Sequence, residues 1–348
     1  MNPSSLPTER FRWLIVSTAA AVGLLQVLGA LQVRSEPYRG YRTLGDGAII
    51  QVADGSPADR AGLEVGDRLI RIDGIDAGDR RADEARLRVR IGQTQTIVVD
   101  RGGRAVEVRL VVTGLPPMEI AAYLVSVLTG LSFLACGLWA YLTAPRLASR
   151  LLAIAGIGVG GVFTEMPYFA SPAARTIQET GLIVAGVLGF GALFHLMLVL
   201  SGARALPGRK AAVLALYMPA AIVCAGKIVA TVLAGGHRTD LTDLTTTLSL
   251  VLVLLYFCLA IAAFLLGYAS ATRVERTASG LNVLGVCLLL GLAPMIPTAI
   301  GLVAPAAVFP GGDYYDVVWV LIPFALTRAV VLQGRREREE ARPRSEGP

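Results

Sequence analysis

Long apolar runs separated by short polar loops fill most of the chain, and one polar stretch, residues 34–117, interrupts them. A helix needs about 20 apolar residues to cross the hydrocarbon of a bilayer. On that criterion the pattern predicts eight spans, at 13–33, 119–143, 151–170, 180–201, 212–234, 246–270, 280–303 and 316–333. Residues 36–113 follow another rhythm, in which short β-like runs alternate with turn signals. The expected fold class is a membrane all-α bundle of about eight transmembrane helices with an α+β domain between the first two. The first apolar run exceeds the ~7–15 residues usual in a signal peptide, so it is expected to be an uncleaved anchor.

Charge then orients the spans. Of 348 residues, 54% are hydrophobic and only 17% charged, below the roughly 25% charged of a soluble globule. The net charge is +6, but its cations sit beside apolar spans rather than on one soluble face, which argues against a nucleic-acid partner. Arg10 and Arg12 precede span one, Arg146 and Arg150 lie near the turn after span two, and Arg204, Arg209 and Lys210 follow span four. Arg273 and Arg276 follow span six, and Arg335, Arg336 and Arg338 follow span eight. Basic loops mark the cytoplasmic side. The expected layout is a cytoplasmic N-terminus (1–11), an anchor (12–33), an extracytoplasmic domain (34–117), a seven-helix domain (118–334) and a cytoplasmic basic tail (335–348), in a cell membrane. Cys136, Cys224, Cys258 and Cys287 all fall in predicted spans without metal-ligand spacing, so they are expected to be core residues, with no metal and no cofactor.

Within the polar stretch, local signals are specific. Ser56 is placed to cap a short helix with Pro57 at its first position, where no N–H is needed. Gly62 suits a left-handed helix end. Leu69, Ile70 and Ile72 form a β run that ends in the tight-turn pair Asp73-Gly74. A second helix fits 80–91, and two strands fit 95–100 and 105–112, joined through Arg101-Gly102-Gly103-Arg104.

The succession of a strand, Gly55-Ser56-Pro57-Ala58, Ala61-Gly62-Leu63, Gly66-Asp67 and a strand ending in Asp73-Gly74 resembles the PDZ domain family over about 75 residues. The resemblance implies a partly open β-barrel with two helices. It also implies that an extended peptide adds to a sheet edge while a backbone loop receives its terminal carboxylate. That loop often reads aromatic-x-Gly-hydrophobic in bacterial members, which matches Tyr38-Arg39-Gly40-Tyr41 here; Arg42 and Thr43 would begin the groove strand. Ala85, Leu87 and Val89 would face it from the second helix. The implied partner is an external peptide or protein C-terminus.

The later spans carry further ordered marks: Phe194-His195 through Ser201, Tyr217-Met218-Pro219, Thr272-Arg273-Val274-Glu275-Arg276, and Pro323 through Arg328. Their order is similar to the sensor portion of competence-type membrane histidine kinases, which have an anchor, an external PDZ-like domain, a bundle of spans and a kinase. Only about fifteen residues follow span eight, with no phosphoacceptor helix or ATP-binding glycine boxes. The expectation is therefore either a stand-alone sensor with a separate cytoplasmic kinase or regulator, or a truncated product. An adaptor that presents partners to another membrane protein is the alternative. An intramembrane metalloprotease needs His-Glu-x-x-His, whereas His195 and His237 stand far apart, so no enzyme is expected.

Ionisable residues inside a membrane are costly and mark functional sites by default. Glu165, His195 and Lys227 are such residues. At about 1.5 Å rise per residue, Glu165 and Lys227 lie roughly 21 and 22 Å from the inner face, so either they pair, or Lys227 reaches the outer headgroups while Glu165 borders a water-filled vestibule. His195 lies in the inner half and is expected to be a hydrogen-bonded packing residue. Pro219, Pro294 and Pro297 are expected to kink their spans. If the pair forms, Glu165→Lys with Lys227→Glu restores the membrane accumulation that each single exchange loses, as read by quantitative immunoblot; a double variant no better than the singles refutes it.

Overall fold

The structure, a computed structural model, describes residues 6–43, 47–77, 89–163, 171–201, 210–235, 240–292 and 317–340. Helix α1 (Leu6–Gln32) leads into the inserted domain, and helix α3 (Pro117–Thr143) leaves it. Then follow α4 (Leu147–Val162), α5 (Pro172–Leu200), α6 (Lys210–Leu233), α7 (Asp240–Ser270), the short α8 (Arg273–Ala278), α9 (Leu281–Gly291) and α10 (Leu321–Glu340). Six of these (α1, α3, α5, α6, α7 and α10) are long and apolar enough to cross a membrane, while α4 and α9 are shorter apolar helices. The chain is thus mostly helical and compatible with a multi-pass membrane protein.

The boundaries of α3 and α6 fall within two residues of the expected ones, whereas α1, α5 and α7 start six to eight residues earlier. Two further differences have visible reasons. Arg335, Arg336 and Arg338, expected in a tail, lie inside α10. The sequence there is Arg-Arg-Glu-Arg-Glu-Glu, whose long straight side chains favour helix and whose opposite charges alternate. Helix α4 begins at Leu147 rather than 151, because Ser149 Oγ accepts from the Arg146 N–H at 2.8 Å and closes the first turn. The Thr272–Arg276 motif is a capping box at the start of α8. Thr272 N donates to Glu275 Oε2 at 2.8 Å, and Glu275 N donates to Thr272 Oγ1 at 3.3 Å. The Thr272 N–H, and the Thr272 hydroxyl at 2.9 Å, both donate to the Glu275 carboxylate and hold it below its ordinary pKa.

Helix α4 sits between α3 and α5 and is lined with glycines. A Cβ built on Gly156 would lie 2.5 Å from Phe133 O, and one on Gly137 of α3 would lie 2.7 Å from Leu152 O. On the α5 side, a Cβ on Gly158 would fall on the Ala185 carbonyl and 2.5 Å from the Gly189 Cα. These helices therefore touch backbone to backbone. Gln26, fully buried on α1, donates through Nε2 to Gly160 O at 2.8 Å, fixing α1 to the same helix. A chain of rings crosses the bundle beyond it: Phe133 to Phe163 (6.2 Å), Phe163 to Trp319 (5.2 Å), Trp319 to Phe257 (5.8 Å) and Phe257 to Phe190 (6.1 Å).

The inserted domain has a four-stranded antiparallel sheet in the order β5-β4-β6-β7, from β4 (Arg68–Ile72), β5 (Ile75–Asp76), β6 (Thr94–Arg101) and β7 (Arg104–Val111). A second pair joins β2 (Tyr41–Thr43) to β3 (Ile49–Val52), and α2 (Pro57–Arg60) follows β3. Ile49, Ala58, Leu63, Ile72, Ile97, Val99 and Leu110 fill its separate core. An unexpected third pair joins β1 (Pro37–Tyr38) to β8 (Thr113–Gly114). It closes the domain where the chain enters from α1 and leaves to α3.

The backbone contacts of α4 give a direct test. Gly158→Ala forces a methyl onto backbone atoms that cannot rotate away, and overpacking of this kind costs about 1–3 kcal/mol. Gly181→Ala in α5, where an added Cβ meets nothing within 4 Å, is expected to be neutral or slightly stabilising. Thermal unfolding of the detergent-solubilised protein should separate the two.

Candidate peptide-binding site

The Tyr38–Tyr41 loop owes its shape to Gly40. This residue has φ 81°, in the left-handed region, and an added Cβ would overlap the Ser56 side chain. Neighbouring segments grip the loop by its carbonyls. Ala53 N donates to Gly40 O at 2.8 Å, and Ala58 N donates to Arg39 O at 2.9 Å. Ser56 has two roles: its Oγ accepts the Asp59 N–H at 3.2 Å as the α2 cap and donates to Gly40 O at 3.3 Å. The expected cap, with Pro57 at the first helical position, is therefore also the support of the loop. Arg39 donates through Nε to Gln95 Oε1 at 2.7 Å, and Gln95 Nε2 donates to Asp73 Oδ2 at 3.2 Å. Gln95 is only 1% exposed. It was not among the expected site residues, since nothing in its local sequence marks it; only the fold brings it between Arg39 and the Asp73-Gly74 turn.

Strand β2 runs on from this loop. It pairs on one side with β3, in the register Tyr41 with Val52 and Arg42 with Gln51, and among the described residues no strand pairs with its other side. Tyr41 packs on the domain core, Arg42 is exposed and Thr43 is half-buried. Tyr38 is half-buried in β1, where burial, then the Glu119 carboxylate, raises its phenol pKa. The geometry is a sheet edge beside a left-handed glycine loop, with a cation next to it.

The comparisons with known proteins bear on this geometry. The PDZ domain family matches residues 49–99. The chain carries a PDZ domain. The match begins at β3, so the Tyr38–Thr43 segment lies outside it. Among solved structures, the chain is similar to the HtrA-type protease AlgW with a decapeptide (28% identity, TM-score 0.21). It is also similar to a serine endoprotease from Yersinia pestis (26% identity, TM-score 0.21). Each similarity covers 24% of this chain and 30% of the other, so the chain matches less than a third of those proteins' length. No curated protein matches the chain in sequence.

The family markers have physical roles in the PDZ domain. Gly62 has φ 82° at the end of α2, and Asp73 and Gly74 have φ 52° and 80° in the turn between β4 and β5. Asp67, 2% exposed, anchors the loop before β4. Its carboxylate accepts from Arg101 Nε and Nη2, both at 2.7 Å, and from the Glu64 N–H at 2.9 Å. Arg101 also reaches Gly62 O at 2.7 Å and Glu64 Oε1 at 2.8 Å. The forked bond from Arg101 holds the Asp67 carboxyl below the usual carboxylate range. Of the expected groove helix over 80–91, residues 80–88 lie outside the described residues; Val89 and Arg90 are loop, and Ile91 and Gly92 form a turn in which Gly92 has φ 86°. Ala85 and Leu87 lie outside the described residues; Val89 is buried in the domain core.

In the bundle, His195 is 6% exposed, and its Nδ1 lies 3.4 Å from the Tyr217 hydroxyl with the rings edge to face. Lys227 is 4% exposed. Its Nζ donates to Thr246 Oγ1 at 2.7 Å and Thr242 O at 3.3 Å, beside a Thr180–Thr231 hydroxyl pair at 2.8 Å. Glu165, its expected partner, and His237, Pro294 and Pro297 lie outside the described residues. Pro219 sits inside α6, where the Tyr256 hydroxyl reaches across to Leu216 O at 2.5 Å. Cys136 and Cys224 are buried as expected, but Cys258 is exposed on α7, because it faces away from the neighbouring helices. Among the described residues no group of three or more His, Cys, Asp or Glu could hold a metal.

The Asp67–Arg101 fork sets a pH dependence. A carboxyl whose folded pKa is depressed contributes stability above its unfolded value, near 3.9, that is lost as pH falls through the folded value. Asp67→Asn should destabilise the PDZ domain by about 2 kcal/mol at pH 7, the scale of a charge-assisted hydrogen bond. It should also flatten the acid limb of a thermal-melt series below about pH 4.

Proposed function

We propose that this chain is a membrane-embedded receptor whose PDZ domain binds the C-terminus of an external peptide or protein and relays occupancy through the bundle to a separate output partner. The observation that carries it is the edge of β2, which continues directly from the Gly40 loop. A peptide laid antiparallel along Arg42 and Thr43 gains main-chain hydrogen bonds, and its terminal carboxylate meets the loop's backbone. The alternation of cations along the loops supports eight spans, with the PDZ domain extracytoplasmic and both termini cytoplasmic.

A relay has a short path. Tyr38 belongs to the loop and also pairs with Thr113 of β8, just ahead of α3. A peptide that shifts the loop therefore bears on the ends of α1 and α3, which pack together through Val33, Tyr123 and Val127. A separate cytoplasmic kinase or regulator would read the change at the far end of the bundle. The reading needs binding and displacement only, and uses no reacting group.

The test is binding of a C-terminal peptide library to the purified full chain. Peptides with a free carboxylate should bind, and their amidated counterparts should bind about ten- to a hundredfold more weakly, since charge-assisted hydrogen bonds contribute about 1.5–3 kcal/mol. Gly40→Ala should lose the same preference while thermal melting shows the domain still folded. Equal binding of free and amidated peptides overturns the carboxylate assignment.

A further inference from the structure

The bundle end farthest from the PDZ domain holds a second feature. Helices α3 and α5 end there, α4 begins there, and α10 runs past them. Between them lies a cavity of about 360 Å³. Its polar wall carries three guanidinium groups, Arg146, Arg335 and Arg338, against one carboxylate, Glu337. Arg146 is held in place: its Nη1 donates to Gly334 O at 2.6 Å and lies 3.4 Å from Glu337 Oε2. Gly334 makes this possible, because a Cβ there would overlap the Arg146 guanidinium. Arg335 and Arg338 are exposed at the rim. The other wall is apolar and opens sideways through Trp139 and Leu147, which are 55% and 47% exposed. Gln333, which also lines the cavity, has its side-chain carbonyl oxygen buried with no hydrogen-bond partner among the described residues.

We infer that this cavity binds the headgroup of an anionic glycerophospholipid. Arginine forks match phosphate oxygens, and basic pockets between membrane helices at the interface bind anionic headgroups. Three cations against one anion leave a surplus that a zwitterionic headgroup would not neutralise. The buried Gln333 oxygen is closed off from the cavity, so the arginines carry the recognition of the headgroup. The acyl chains leave along Trp139 and Leu147, at the depth where aromatic side chains anchor to the membrane interface. A free phosphate would satisfy the arginines but leave the apolar wall uncovered. The lipid joins the ends of α3 and α4 to α10, and so lies where a signal from the PDZ end would emerge, although the site stands without that reading.

The experiment is native mass spectrometry of the full chain released from detergent with phosphatidylglycerol or phosphatidylcholine added. The protein should retain phosphatidylglycerol over phosphatidylcholine by roughly tenfold, and Arg335→Gln with Arg338→Gln should abolish the difference, at about 1 kcal/mol per cation near an anionic surface. Ala144→Trp, which fills the cavity and leaves every charge, should do the same. The charge-matched pair Arg10→Gln with Arg12→Gln, at exposed positions ahead of the first span, should leave it intact. Equal retention of the two lipids, equal loss in the Arg10/Arg12 control, or thermal stabilisation by millimolar inorganic phosphate that matches the lipid's effect would each overturn the assignment. Peptide binding at the PDZ groove is scored on the same preparations, so its failure is read separately.

Discussion

Helices in a bilayer gain nothing from leaving lipid for one another, because lipid tails are as apolar as leucine; association has to come from close packing and hydrogen bonds. Six helices of this chain are long and apolar enough to cross a membrane, and the close packing that such helices need falls on α4. Its glycines at 156 and 158 bring its backbone against Phe133 and Gly137 of α3 on one side and Ala185 and Gly189 of α5 on the other. The helix is only 16 residues long and would be a poor span alone. Surrounded by α1, α3 and α5, it becomes the axis on which they are placed. The bond from Gln26 to Gly160 O fits the same logic, since a buried amide in hydrocarbon must find a partner in the protein.

The position of α3 then governs the PDZ domain. The domain is an insertion between α1 and α3, and its own core is separate from that of the bundle. What joins the two is the β1–β8 pair, two residues on each strand, at the neck of the insertion. The same neck carries Tyr38, the first residue of the glycine loop. Groove and bundle therefore share one short piece of backbone.

Charge is placed with the same economy at the two ends of the bundle. Toward the PDZ end, Lys227 is buried among threonine oxygens of α7. At the opposite end, Arg146 lies across Gly334 and fixes α10 to the turn between α3 and α4. Both residues trade hydration for hydrogen bonds to oxygen: Lys227 ties the consecutive helices α6 and α7, and Arg146 ties the α3–α4 turn to the distant α10. Arg146, a cation of the basic loops, thus also acts as a tertiary contact.

The sequence by itself determined whatever depends on near neighbours. The long apolar runs, the Ser56–Pro57 helix start, the Asp73-Gly74 turn and the β6–β7 hairpin through Gly102-Gly103 are all local, because capping, turn chemistry and hydrophobic period act over a few residues. The PDZ resemblance was legible for the same reason, being built from such signals. Tertiary structure alone decided the rest. The β1–β8 neck pairs residues at opposite ends of the domain, Gln95 meets Arg39 across the sheet, and Arg146 meets Gly334 across the length of the chain. The glycines of α4 look in sequence like weak points of a helix, and only their apposition to α3 and α5 turns them into contacts. Such pairings join residues that no local pattern relates. They form only when the packed helices and the closed sheet bring both partners to one place.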